Sequence, residues 1–397
     1  MTFDFDEIIE RRGTDCEKWD GLERRFGALA PDALPMWVAD MDFRSPPAVI
    51  EALTRRAAHG IYGYTGMSPA FSGACVSWLK RRHGWDVEPE WIRYSPGVVS
   101  ALSMLVQALT RPGDKVVFQT PVYPPIFLCL ENNGRTPAAN PLIEKNGRYA
   151  MDFEDLEQKL ADGCAMAILS SPHNPGGRVW TREELSRFVD LCLRYGAVPV
   201  SDEIHHDLVF PPHKHVPLAA VSPEAAEACA VCLAPSKTFN VAGLATSCIV
   251  IKNPELRERF AAAQKANAVF DPTPFGVEAL KAAYNEGGPW LDALLAYLAD
   301  NFAHLKSRLA AELPDFRLHV PEATHLAWID CSASGLPDEE IKERLLRKAG
   351  LVLNMGPSFG AGGEGFVRLN FACPRAMLDQ GIDRFVAAFS DRDRAPE

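Results

Sequence analysis

The chemistry-bearing residues of this chain gather around Lys237, in the stretch Leu233 to Leu244, LAPSKTFNVAGL. A short apolar run, Ala230 to Ala234, leads into a Pro-Ser turn, and the lysine follows among small and hydroxyl residues. An amine held where water is scarce is disfavoured in its charged form, so its pKa falls and it becomes a nucleophile able to form a Schiff base with a carbonyl. Ser236 and Thr238 beside it suit a phosphate oxygen.

Other candidates stand where apolar runs end. In YSPGVVSAL, Gly97 precedes a helical pattern whose first N–H groups, at Val98 and Val99, are unpaired and suit a phosphate. In TPVYPP the prolines stiffen the backbone around Tyr123, an aromatic face able to stack on a planar heterocycle. SSPHNPGG presents the Asn174 amide, a donor for a phenolate oxygen. In SDEIHHD, Asp202 closes a strand, where a buried carboxylate suits a pyridine ring whose nitrogen must stay protonated. Glu203, His205, His206 and Asp207 could be read as metal ligands, but no further His or Cys follows at ligand spacing, so no metal is expected. FVRLN places Arg368 in an apolar strand, where a guanidinium needs an anion, either an internal Asp or Glu or a bound carboxylate.

The elements that must position these residues follow from pattern. Val98 to Thr110 and Arg182 to Tyr195 read as helices. Lys115 to Gln119, Cys164 to Ser170, Val198 to Ser201, Ala230 to Ala234 and Ser247 to Ile251 read as strands. Such alternation predicts an α/β fold, a mainly parallel sheet with helices on both faces and ligands beyond the carboxyl ends of its strands. Pro46 and Pro47 open a helix, Ala48 to His59, closed by Gly60 and a GIYGYTG loop. A long helix, Pro289 to Leu313, and strands Leu326 to Cys331, Leu351 to Leu353 and Phe366 to Asn370 predict a smaller α+β domain. The expected organisation is an N-terminal arm over residues 1–45 that returns to the small domain, a large domain over 46–288 and a C-terminal small domain over 289–397.

With 397 residues, 47% hydrophobic and 23% charged, the chain suits about two globular domains. A net charge of −11 argues against a general affinity for nucleic acid or anionic membrane. Ten cysteines occur singly apart from Cys229 and Cys232, which lie in an apolar run and read as core. The N-terminus is acidic with no basic leader, and no apolar run has membrane-spanning length, so a reduced cytoplasmic setting is expected.

The ordered set Tyr123, Asn174, Asp202, Ser236-Lys237 and Arg368 resembles pyridoxal phosphate (PLP) enzymes of the fold type I aminotransferase superfamily, over nearly the whole chain. PMWVADMDFRSP, HGIYGYTG, YSPGVVSALS, SPHNPGGRVW, SDEIHHDLVF, APSKTFNVAGL and FVRLNFACPR are similar to the PatB and MalY type of cystathionine β-lyase. The resemblance implies that Lys237 holds PLP covalently and shuttles protons, that Asp202 faces the pyridine nitrogen, Asn174 the phenolic oxygen, and that Tyr123 stacks on the ring. It implies phosphate binding by Gly97, Val98, Val99 and Ser236, with Tyr64 reaching in from the other subunit of a homodimer, and an α-carboxylate held by Arg368. The implied reaction is elimination from an amino acid thioether, with a place in methionine biosynthesis. An aminotransferase sharing these residues, or a regulatory protein retaining the scaffold, stays open. Two departures stand out: Ala245, where many members of the superfamily carry an arginine eight residues after the lysine, and His205, where they carry a tyrosine three residues after the aspartate.

Overall fold

A computed structural model describes residues 3–145 and 147–390. Its centre is a seven-stranded sheet in the order Ile92–Ser95, Ser247–Ile251, Ala230–Leu233, Val198–Asp202, Cys164–Ser170, Lys115–Thr120 and Thr136–Pro141. The sequence of each inner strand is almost wholly apolar because both of its faces are covered. Val116, Phe118, Met166, Ile168, Val200, Ala230, Cys232, Ile249 and Ile251 bury in one core with the helix Val98–Leu109. Their alternate neighbours Val117, Ala167, Leu169, Val231, Leu233, Cys248 and Val250 bury in the other. Cys229 and Cys232 enter opposite cores, and all ten cysteines are free thiols.

The sheet is mainly parallel, as expected, with one reversal. Ser247–Ile251 runs antiparallel to both neighbours. The chain between Leu233 and Ser247 holds only the short turns Pro235–Thr238 and Ala242–Leu244, with no helix long enough to carry it back across the sheet. The edge strand Thr136–Pro141, absent from the sequence reading, has two prolines and no apolar run; prolines are tolerated there because an edge strand has one unpaired side. The helices Pro69–His83, Pro254–Ala266, Pro274–Glu286 and Arg375–Ser390 are likewise additions to that reading.

Five strands, those ending at Ser95, Thr120, Ser170, Asp202 and Leu233, point the same way, so the loops that follow them meet at one edge. That is why segments far apart in sequence can build one site.

Beyond the long helix Gly288–Glu312 lies an antiparallel sheet ordered Arg317–Leu318, Leu326–Asp330, Phe366–Asn370 and Asn354–Met355. The N-terminal arm returns to this part of the chain. Leu34–Pro35 pairs in parallel with Leu351–Val352, and Phe5 packs its ring on Phe43, Trp290 and Tyr297 at 5.2, 5.6 and 5.4 Å. Residues 391–397 of the expected C-terminal domain lie outside the described residues.

The arm is held by buried charge. Asp42 lies 2.5 Å from Lys18 Nζ and 2.6 Å from Arg11 Nη1, and it also accepts from Trp19 Nε1 at 3.2 Å. Lys18 and Asp42 are both almost wholly shielded from water. Removing one partner of such a pair leaves the other charge buried and uncompensated, at a cost of about 3–5 kcal/mol. Asp42→Ala should therefore lower the thermal unfolding midpoint sharply, followed by circular dichroism, whereas exchanging the exposed Glu51 should leave it in place. Equal midpoints for the two variants would refute this reading of the arm.

Candidate active site

Lys237 sits on the one-turn helix Pro235–Thr238 that directly follows the Ala230–Leu233 strand. Its Nζ donates to the Ala39 carbonyl at 2.8 Å. Burial pulls the amine down to about 8, with Asp40 opposing the shift. Asp202, at the carboxyl end of the neighbouring strand, is pushed the other way by burial, to about 6. Among the described residues it has no salt bridge, and its one hydrogen bond is from the Ile204 backbone N–H at 3.2 Å. A buried carboxylate without a cation is suited to receive one.

Asn174 is buried, and its Oδ1 accepts from Arg368 Nη1 at 3.1 Å, which leaves its Nδ2 to donate elsewhere. Arg368 is buried too, yet it faces no carboxylate. Its Nη2 donates to the Trp37 carbonyl at 2.9 Å and to Asn354 Oδ1 at 2.6 Å, and its Nε has no partner among the described residues. Burial lowers it to about 10, so it remains a cation at neutral pH. Of the two readings open in the sequence, the internal acidic partner is therefore excluded among the described residues.

Gly97 has φ +121°, a conformation that disfavours a side chain, and it opens the helix Val98–Leu109. The first N–H groups of that helix have no intrahelical acceptor and point along the positive end of its dipole. Tyr123 follows the Lys115–Thr120 strand, with the neighbouring Val122 N–H bonded to the Phe359 carbonyl. Burial raises its hydroxyl pKa, and Arg368 and Asp202 both act on it. His205 is buried and neutral, held well below the usual histidine range by burial and then by His325 and Lys237; its Nδ1 has no partner among the described residues.

Nine of the expected residues, Gly97, Val98, Val99, Tyr123, Asn174, Asp202, His205, Ser236 and Lys237, line one cavity of about 200 Å³. Arg368 joins them through Asn174. Tyr64 does not: it is fully exposed on the loop after Gly60.

The sequence reading took the tract Trp37 to Phe43 as part of a family motif but gave it no role in the site. Its Trp37 and Ala39 carbonyls take Arg368 and Lys237, and its Val38 and Asp40 carbonyls take Asn370 Nδ2 at 2.7 and 2.6 Å. Asn240, in the left-handed region, clamps the other side, accepting from Met41 N–H and donating to the Met41 and Phe43 carbonyls. The roles belong to the backbone, so no side-chain type announced them. His325 was missed as well, an isolated buried histidine whose ring lies 5.8 Å from His205.

The family aminotransferase class I and II matches residues 32–385. The chain belongs to that family. Within this aminotransferase family it is 49% identical over 387 residues to cystathionine β-lyase PatB of Bacillus subtilis, covering 97% of this chain and 100% of that protein. It is 34% identical to protein MalY of Escherichia coli, over 97% of this chain and 98% of the relative. The structure superposes on cystalysin from Treponema denticola, which contains a pyridoxal 5′-phosphate cofactor, with TM-score 0.95 and 35% identity over 98% of this chain and 100% of that one.

The residues present fit PLP on chemistry. An amine is freed by burial, an uncompensated carboxylate stands at Asp202, an amide donor at Asn174, and a helix N-terminus at Gly97. The superfamily arginine is absent: Ala245 occupies its position, with φ +47° at the end of the turn Ala242–Leu244.

The lowered Lys237 pKa has a sign that can be checked. Below about pH 8 the amine of the cofactor-free protein is protonated and unreactive; above it the amine is free, whereas an ordinary lysine needs a pH near 10.5. Reductive alkylation by a small aldehyde, located by mass spectrometry, should label Lys237 with a rate that climbs through pH 8 and levels off before surface lysines react. A Lys237 profile matching theirs would contradict the burial effect.

Proposed function

We propose that this chain is a PLP-dependent carbon–sulfur β-lyase acting on cystathionine or a related cysteine thioether. With one water consumed, the products are a thiol, homocysteine in the case of cystathionine, together with pyruvate and ammonia. The similarity to PatB, MalY and cystalysin supports the reaction class. The observation that carries the substrate class is Arg368, a buried guanidinium with no carboxylate of its own, joined through Asn174 to the cavity that holds Lys237. It suits the α-carboxylate of an amino acid.

Bound PLP supplies the electron sink that spreads the charge left at Cα when its proton is removed. The chain supplies the rest. Lys237 Nζ would hold the cofactor covalently between turnovers and, when free, would take the α-proton. Asp202 would keep a proton on the pyridine nitrogen, Asn174 Nδ2 and His205 would serve the phenolic oxygen, and Tyr123 would stack on the ring. The Gly97, Val98 and Val99 backbone with the Ser236 hydroxyl holds the phosphate. Arg368 fixes the carboxylate and so orients Cα toward Lys237.

The active assembly is proposed to be a homodimer with shared sites. Ile61, Tyr62, Tyr64 and Met67 on one loop, and Phe270 on an adjoining one, are exposed together. The first loop touches the helix Pro274–Glu286, which follows the second, through the rings of Tyr62 and Phe275. Val99 lines the cavity and also an open groove that runs to Val269, beside Phe270. A second copy seated on this surface would bring its Tyr64 to the phosphate end. Ten free cysteines support a reduced, cytoplasmic setting, and no helix of the described residues is long and apolar enough to cross a membrane.

The test is incubation of the purified holoenzyme with cystathionine, following thiol, pyruvate and keto-acid consumption separately. Thiol and pyruvate in equal amounts without a keto-acid requirement are expected; keto-acid-dependent turnover would move the assignment to transamination. Lys237→Ala should abolish turnover. Arg368→Ala should raise KM about 10–100-fold, since a hydrogen bond to a charged group contributes about 1.5–3 kcal/mol.

Shared sites give a second measurement. Mixing Lys237→Ala and Tyr64→Ala chains, each nearly inactive alone, under conditions of subunit exchange should restore about a quarter of the wild-type sites, because one site of each mixed dimer is intact. No recovery despite proven exchange would mean that Tyr64 does not serve the partner's site.

A further inference from the structure

Asp207 lies one residue contact away from the lysine turn: Thr238, next to Lys237, donates its hydroxyl to Asp207 Oδ2 at 2.8 Å. Trp78 Nε1 donates to both carboxylate oxygens, at 3.1 and 3.2 Å. Two imidazoles face the same group. His83 Nε2 is 2.8 Å from Oδ1, and His206 Nε2 is 3.1 Å from Oδ2. One ligand atom from each of His83, His206 and Asp207 can be chosen so that all lie within 4.8 Å of one another.

His206 is fixed from its far side, and that fixing creates a conflict. Its Nδ1 is 2.7 Å from the Glu203 carbonyl oxygen. That oxygen can only accept, so Nδ1 carries a proton, and in the neutral ring Nε2 presents a lone pair. It points at Asp207 Oδ2, also an acceptor, and no hydrogen bond joins the two. Both groups are wholly buried, so solvent does not relieve the repulsion. A cation placed between them does. An imidazole whose Nδ1–H is anchored on a backbone carbonyl while Nε2 faces inward with a carboxylate is also how metal-ligating histidines are ordinarily oriented.

We propose that His83 Nε2, His206 Nε2 and the Asp207 carboxylate form a binding site for a divalent transition-metal ion, with Zn²⁺ the ion whose ligand preferences they match best. Two imidazoles and one carboxylate leave a fourth position for water. The Asp207 carboxylate has about four lone-pair directions; Trp78 takes one on each oxygen and Thr238 a second on Oδ2, so Oδ1, which His83 faces, can still ligate. His215 is not a ligand, because its Nε2 is committed to Glu203 Oε2 at 2.7 Å. His83 ends the helix Pro69–His83, with a side chain 5% exposed against none for His206 and Asp207. The ion ties that helix to the loop after Asp202 and, through Thr238, braces the lysine turn; it takes no part in the chemistry at Lys237.

Holoenzyme stripped with a chelator and dialysed against Zn²⁺ should retain about one equivalent per chain by elemental analysis, with a rise in melting temperature. His83→Gln and His206→Leu should each lose both the metal and the rise while keeping their PLP. Cu²⁺ in place of Zn²⁺ should give an electron paramagnetic resonance signal split by imidazole nitrogens, a readout independent of stability. His83→Gln, at a partly exposed helix end, keeps the comparison available if His206→Leu folds poorly. Wild-type protein that retains no Zn²⁺, or retention unchanged in His83→Gln, overturns the proposal.

Discussion

The site depends on a strip of backbone. Trp37 to Phe43 runs between the lysine turn and the arginine strand, and its carbonyls receive the two functional cations: Ala39 takes Lys237 and Trp37 takes Arg368. Neither cation has an ion-pair partner among the described residues, so each keeps a charge or a lone pair for a ligand while its position is fixed by neutral oxygens. A carboxylate in place of either carbonyl would have satisfied the cation and removed its reason to bind anything. Because Asn240 grips the strip from the lysine side and Asn370 from the arginine side, a shift of the strip moves both cations together. One short segment therefore links the positions of the Lys237 amine and the Arg368 guanidinium.

The charges that hold the strip are kept off the reacting groups. Lys18 and Arg11 meet Asp42 and Asp40 on the arm side. From that network Asp40 opposes the fall in the Lys237 pKa without reversing it, and Lys18 adds to the fall. Burial dominates at every member of the cavity: it lowers Lys237, raises Asp202 and keeps His205 neutral. Each shift brings the less charged form of the group within easier reach, and the groups lie at the ends of strands whose interiors are already apolar.

Much of this was legible in the sequence for a definite reason. Five loops of the large sheet each follow an apolar strand, and in each the residue that could do chemistry stands a few positions past the strand end, so Gly97, Tyr123, Asn174, Asp202 and Lys237 could be read by their place as well as their type. Arg368 was readable as a cation in an apolar strand. What was not readable works through main-chain atoms or through long separations. The carbonyls of Trp37 and Ala39 have no side-chain signature. The reversal of Ser247–Ile251 is a property of a connection too short for a helix, and the Thr136–Pro141 strand is stabilised by its edge position against its own composition. His83 and Asp207 meet across 124 residues, where no local spacing rule reaches.

Ala245 shows how these constraints converge. The chain must turn from Lys237 into an antiparallel strand within a few residues, and it does so with Ala245 in the left-handed region, which costs a residue with a side chain about 1–3 kcal/mol. That strain is sustained by the packing of the turn, where the Tyr94 hydroxyl donates to the Ala245 carbonyl at 3.3 Å. With alanine there, no guanidinium enters the phosphate end of the cavity from this loop. An anion bound at Gly97 relies on helix N–H groups and hydroxyls, which are weaker and more solvent-dependent than a buried ion pair. Such an end gains most from being covered, because its hydrogen bonds strengthen as water is excluded. A second chain seated on the exposed aromatic loop around Tyr64 and the open groove beside Val99, as proposed above, would supply that cover.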